Sequence, residues 1–181
     1  MVISRESRTA RLLRTKDSTE EKTGKLMSDL SFRFAAENDL VFIRQLSAEA
    51  FSVYGDYHEI VTAWFFLPGV ITLIAIENTD SLGFAMLGFE IAGKREMPMG
   101  ELLAIAVVPE YQRAGIGAAL LAHVQSLALE QGLSEICLCT AEDNSAARSF
   151  FEKAGFKVIG SQGRYYPRGQ SALAMCKRLA P

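Results

Sequence analysis

The stretch VVPEYQRAGIGAALLAHV, residues 107–124, joins an apolar run, a proline, two glycines and a helical repeat. That order suits the capture of a phosphate. A strand runs to Val108, Pro109 stops it, the loop EYQRAGIG follows, and from Gly117 the segment AALLAHVQSLALEQ has the length and apolar content of a helix packed on a sheet. The first turn of a helix leaves backbone N–H groups without internal partners, and the macrodipole adds partial positive charge there. Glycine at such a turn lets a bulky anion approach the backbone closely. Gly115 and Gly117 therefore fit a pyrophosphate cradle, with the amides of Gln112, Arg113 and Ala114 beside them and those of Ile116 and Ala118 in the same turn. Three other readings compete. A Walker loop needs Lys and then Ser or Thr where Ala118 and Ala119 stand. A dinucleotide fingerprint wants a third glycine where Leu120 stands, and an earlier place in the chain. The third alternative is a plain helix start with a glycine turn.

The string VVPEYQRAGIGAALL resembles the acyl-coenzyme A signature of the GNAT superfamily of N-acetyltransferases: Gln or Arg, two residues, Gly, one residue, then Gly or Ala, after a strand ending Val-x-Pro. Gln112, Gly115 and Gly117 stand at its positions. Later, NSAARSFFEKAGFKVIG resembles the second signature of that superfamily, in which an Asn opens a helix ending in Gly-Phe. The similarity runs from about Phe32 to Leu179, because the order of elements also agrees. It implies that the strand ELLAIAVV splays from the strand EICLCT, and that the pantetheine arm of acetyl-CoA lies in the gap, bonded to exposed backbone as an extra strand would be. An amine then attacks the thioester directly. The developing oxyanion is met by a backbone N–H near Ile105, Ala106 or Val107, and Asn144 contacts the cofactor or caps its helix.

What remains is proton traffic, and here the chain departs from the pattern. Phe151 holds the cofactor-side position where many members place a Tyr that protonates the departing sulfur. The segment GRYYPRG resembles the ribosomal-protein alanine N-acetyltransferases, whose Glu base aligns with Cys139. Glu101 is the substitute base on the first splayed strand, sharing a face with Leu103, Ile105 and Val107 by the period of two. Tyr165 or Tyr166, between the last strands, is the candidate acid or lines the entrance of the amine. Tyr54, Tyr57 and His58 lie near the first helices, where the superfamily builds its acceptor site; Tyr54, Tyr57 and Cys139 are taken as acceptor contacts. His58 and His123 are not expected to be catalytic. An α-amine, with a pKa of about 7.7 to 8.0, is far more often neutral at pH 7 than a Lys amine at about 10.4. A site without the usual base thus points to a protein or peptide N-terminus, with a small-molecule amine second and a non-catalytic acyl-CoA-binding module third.

The elements that must position these residues follow from patterning. The fold class is mixed α/β: a mostly antiparallel sheet, splayed at the cofactor site and flanked by helices, in the order βαα, three strands, then αβαββ. Residues 1–30 are polar and mixed in charge and read as a flexible tail, with Met27 as an alternative start; residues 31–181 form the one domain. The chain has 181 residues and a net charge of -2, which argues against a nucleic-acid partner. No apolar run reaches membrane-spanning length, and no secretory signal is evident. The three cysteines read as reduced thiols, with Cys137 in the core, and so place the chain in the cytoplasm. Neither Cys137 nor Cys139 has zinc-site spacing, so no metal is expected. A monomer or a homodimer is expected.

Overall fold

The structure, a computed structural model, describes residues 29–89 and 99–180. In chain order the elements are β1 (Leu30–Phe34), α1 (Leu40–Phe51), α2 (Tyr57–Phe65), β2 (Val70–Glu77), β3 (Asp80–Phe89), β4 (Met99–Val107), α3 (Ile116–Glu130), β5 (Glu135–Ala141), α4 (Ser145–Lys153), β6 (Lys157–Gln162) and β7 (Ala172–Arg178). The expected order of strands and helices is the observed one. The polar N-terminal stretch up to residue 28, with Met27, and most of the loop KREMPMG lie outside the described residues.

The strands form a seven-stranded sheet in the order β1-β2-β3-β4-β5-β7-β6. Every neighbouring pair is antiparallel except β4 and β5. The β2–β3 hairpin closes beyond the Glu77↔Asp80 pair through Asn78 and Thr79. Asn78 takes a φ of 54°, a left-handed conformation that Asn tolerates better than most residues. Helices cover both faces. On one, Ile43, Leu46 and Val61 of α1 and α2 pack on Ile74, Phe84, Met86, Ala104 and Ala106. On the other, Leu120, Leu121 and Val124 of α3 and Phe151 of α4 pack on Leu73, Leu87, Leu102, Ile136 and Met175. Each such buried side chain stabilises the fold by about 1.5–3 kcal/mol relative to exposure. Asp39, at the start of α1, is nearly buried and bonds the Arg33 guanidinium at 2.6 and 2.7 Å and the Ala36 N–H at 2.8 Å. Those bonds hold its carboxyl below the usual range and fix the turn between β1 and α1.

Two features shape the site. The parallel β4–β5 ladder holds only Met99↔Glu135, Gly100↔Ile136 and Glu101↔Cys137, while β4 stays paired with β3 up to Val107 and β5 with β7 up to Ala141. Beyond Glu101 the two strands therefore separate, each anchored on its outer side and unpaired on its inner one. The second feature is a β-bulge in β4, where Met86 pairs with Ala104 but Leu87 with Leu102, leaving Leu103 as the extra residue.

The bulge corrects the expected face. Leu103 packs with the α1/α2 side, as the expected period requires of a neighbour of Glu101, but Ile105 and Val107 pack with the α3/α4 side. One inserted residue reverses the alternation of everything after it. The cysteines need a second correction. Cys137 and Cys176 are directly opposed in the β5–β7 register and are joined as a disulfide with a Cα–Cα distance of 4.1 Å; Cys139 is the free thiol. The pairing joins residues 39 apart, and it depends on strand register, which spacing along the chain does not reveal.

Candidate active site

The gap between β4 and β5 opens into a cavity of about 780 Å³. Its walls are Leu102 to Val107 on one side and Leu138 to Ala141 on the other. An extended ligand arm in this gap would meet backbone N–H and C=O groups that the sheet leaves unpaired, as an added strand does.

At the wide end lies the start of α3. Gly115 caps the helix with a φ of 91° and without a side-chain acceptor, so the first-turn amides of Ile116, Gly117 and Ala118 have no side-chain cap. Arg113 also has a left-handed φ, 65°, and alternating backbone senses of this kind gather N–H groups into an anion-binding hollow. Gly117 is the informative residue. A Cβ built there would stand 3.7 Å from Val107 and 3.8 Å from Phe150, ordinary contact distances. The fold therefore tolerates a side chain at that position, and the bare backbone leaves room for close approach to the first-turn amides. Gln112 donates its amide to the Val107 carbonyl at 3.0 Å, which ties the loop to the end of β4. Gln112, Arg113, Gly115, Gly117 and Ala118 line the cavity. Ile116 turns its side chain into the core, so only its amide is available. Ala114 is not among the cavity-lining residues.

Asn144 accepts from the Ala147 N–H at 3.0 Å as the cap of α4 and lies near the Tyr54 hydroxyl, which burial pushes up. Phe151 is 5% exposed; it packs edge-on against Phe150 and Phe156 and reaches the cavity only as part of its apolar wall.

The closed end is built of side chains. Glu101 is the last β4 residue in the ladder, opposite Cys137. The Tyr165 hydroxyl lies near the Cys139 sulfur, and the Glu101 charge is felt at both groups. Burial pushes the Cys139 thiol up, with Glu101 adding to the shift and the Tyr165 hydroxyl opposing it. Burial, with the Cys139, Glu101 and Tyr57 groups beside it, pushes the Tyr165 hydroxyl well above its usual range. Tyr166 is raised likewise, chiefly by burial. It is 8% exposed and stacks near Tyr54, Tyr57 and Tyr165, with ring centres at 4.8, 5.8 and 5.1 Å.

Two distant loops bring these rings together. Gln170 donates to the Val53 carbonyl at 2.7 Å, the Arg168 N–H to the Tyr54 carbonyl at 3.4 Å, and Pro167 lies so close to Gly55 that a Cβ there would meet it at 2.9 Å. Tyr54, Tyr57, Glu101, Cys139, Tyr165 and Tyr166 thus all line one cavity. His58 lies outside that lining, and His123 is exposed, stacked on Phe32.

Sequence reasoning missed Trp64, Phe51 and Phe150, which line the same cavity. Trp64 opens the aromatic run WFF at the end of α2, and Phe150 stands beside Phe151 in the second signature, but neither position marks itself as part of a site. Glu135, Cys137 and Cys176 offer donor atoms within 4.8 Å of one another, but with the two sulfurs joined they present no thiolate to a metal.

Comparison with known proteins gives three likenesses. The chain is 32% identical over 96 residues to the mycothiol acetyltransferase of Kocuria rhizophila, covering 52% of this chain and 32% of that one. It is 33% identical over 98 residues to the ribosomal protein bS18-alanine N-acetyltransferase of Haemophilus influenzae, covering 54% of this chain and 62% of that one. The crystal structure of the ribosomal-protein-S18-alanine N-acetyltransferase from Escherichia coli superposes with a TM-score of 0.72 at 22% identity, over 84% of this chain and 95% of that one. The chain thus spans about a third and about three fifths of the two curated relatives, and the structural likeness speaks for the fold. Residues 40–156, from the start of α1 to the end of the second signature, match the acetyltransferase (GNAT) family, and the chain belongs to that family.

Proposed function

We propose that the protein transfers an acetyl group from acetyl-CoA to the α-amine of a protein or peptide N-terminus. One observation carries the proposal: the separation of β4 from β5 begins at Glu101↔Cys137 and widens toward the glycine-built start of α3. A cofactor held by its pyrophosphate at the wide end delivers its thioester, along unpaired backbone, to the closed end where Glu101 and Tyr165 stand. Val107 to Glu101 spans about 20 Å of strand, room for an extended arm. Bound acetyl-CoA supplies an activated acyl group.

The residues of the chain do the rest. The α3 amides and Arg113 hold the phosphates, unpaired N–H groups of β4 between Ile105 and Val107 bond the extended arm, and those nearer Glu101 offer bonds to the carbonyl oxygen as charge develops on it. The Glu101 carboxylate accepts one proton from the incoming ammonium. A second amine proton is released as the C–N bond forms and the C–S bond breaks, and it passes to the sulfur. Tyr165, kept protonated by burial, offers its O–H to that sulfur in place of the hydroxyl that Phe151 lacks. The relatives named ribosomal protein bS18-alanine N-acetyltransferase and N-alpha-acetyltransferase support the α-amine. The mycothiol enzyme keeps a small-molecule amine as the second reading.

Thiol release from acetyl-CoA with a library of free-N-terminus peptides tests this. Turnover with peptides is expected. Binding of acetyl-CoA without turnover on any amine would make the chain a non-catalytic acyl-CoA-binding module.

A further inference from the structure

A second groove, of about 680 Å³, meets the first cavity at Trp64, Glu101, Leu103 and Cys139, which line both. It runs from Glu101 past Met99 and over the Cys137–Cys176 disulfide, on the sheet face that α1 and α2 cover only across β2 to β4. Its floor is small: Gly88, Ala174 and the joined cysteines line it. Its rims are large and apolar. Leu67, just past α2, is 52% exposed, and Ile159 on β6 is 67% exposed. Among the described lining residues Glu101 is the sole charge, and it stands at the end that opens into the reaction cavity.

The geometry points to this groove as the site for the acceptor's next residues, with a preference for bulky apolar side chains at the second and third positions. The inference rests on the peptide-acceptor reading. An acceptor ammonium at Glu101 can lead its chain onward along this groove, because the cofactor gap occupies the opposite direction, toward α3. A channel with apolar rims and floor gains by removing aliphatic or aromatic surface from water. Its described residues offer no partner to a second charge, so an acidic or basic side chain against them must either stay solvated or lose its hydration unpaired. One charge at the mouth and none beyond it among the described lining residues matches a peptide with an ammonium followed by uncharged, apolar residues. The Tyr165, Tyr166 and Tyr57 rings on the other side of Glu101 leave the side chain of the first residue a separate place.

The test compares kcat/KM for three peptides beginning Ala-Leu-Phe, Ala-Asp-Glu and Ala-Lys-Lys, and for alanine amide, which is too short to enter the groove. The expected order places the Leu-Phe peptide at least tenfold above both charged peptides. The double variant Leu67→Glu and Ile159→Glu, at two exposed positions outside the reaction cavity, is expected to lose that preference and to favour Lys-Lys. Its rate on alanine amide should stay within twofold, an outcome that damage to the fold would not give. Equal kcat/KM for the three peptides in the wild-type chain overturns the inference while leaving the acetyltransferase reading intact. Acetylation of none of the four acceptors overturns both. If the double variant fails to fold, the wild-type comparison still decides.

Discussion

The two ends of the gap between β4 and β5 are built from different materials. At the α3 end the ligand-facing surface is backbone: a left-handed Gly115, an open Gly117 and amides without a side-chain cap. At the closed end it is side chains from four separate segments, with Glu101 on β4, Cys139 on β5, Tyr165 and Tyr166 after β6, and Tyr54 and Tyr57 around the start of α2. A backbone site depends on what is missing and so fixes one ligand chemistry tightly. A side-chain site depends on what each loop presents and can change its acceptor without changing the fold.

The sharpest way to break that contrast is at Gly117. Gly117→Glu puts a carboxylate where the proposed function seats the phosphates, and two like charges at close range are expected to weaken acetyl-CoA binding by about a hundredfold or more. Gly117→Ala, which the fold accommodates, is expected to keep the thermal midpoint and lose part of the affinity. Calorimetry reads both. At the other end, Glu101→Gln should lower kcat by about a hundredfold with acetyl-CoA affinity unchanged, a split that steady-state rates and calorimetry together expose. Tyr165→Phe should lower kcat by about tenfold, the worth of one hydrogen bond. The smallest effect is on stability. Tyr54, Tyr57, Tyr165 and Tyr166 all have raised hydroxyl values in the fold, with burial the largest cause of each. The unfolded chain ionises them from about pH 10 while the folded chain still holds the protons, so the unfolded state binds fewer protons there and stability falls as pH rises. Denaturant titrations at pH 8 and pH 10.5 should show the loss, and replacing Tyr166 by Phe should reduce it.

The same contrast governs what could be read in the amino-acid order. The α3 end was legible because its residues are consecutive: a strand, a proline, a loop and a helix start appear as one string, and glycine spacing reports the need for bare backbone. The order of strands and helices was legible for the same reason. Glu101, Cys139, Tyr54, Tyr57, Tyr165 and Tyr166 could be named one by one, but their meeting depends on the clasp of Gln170, Arg168 and Pro167 against residues 53–55, a contact across more than a hundred positions. Alternation along β4 failed at Leu103 because a bulge inserts one residue without any mark in a run of apolar side chains. The reading of the cysteines as reduced thiols failed because register across β5 and β7, and not spacing, brings the Cys137 and Cys176 sulfurs together. Trp64 went unnoticed because an aromatic residue at a helix end reads as core.

The most direct test of the central claim uses one peptide that carries a free α-amine and an internal lysine. After incubation with the protein and acetyl-CoA, fragment-ion mass spectrometry locates the acetyl group. The account predicts acetylation of the α-amine with the lysine untouched. Acetylation of the lysine alone, or bound acetyl-CoA with no acetylated peptide, would contradict it.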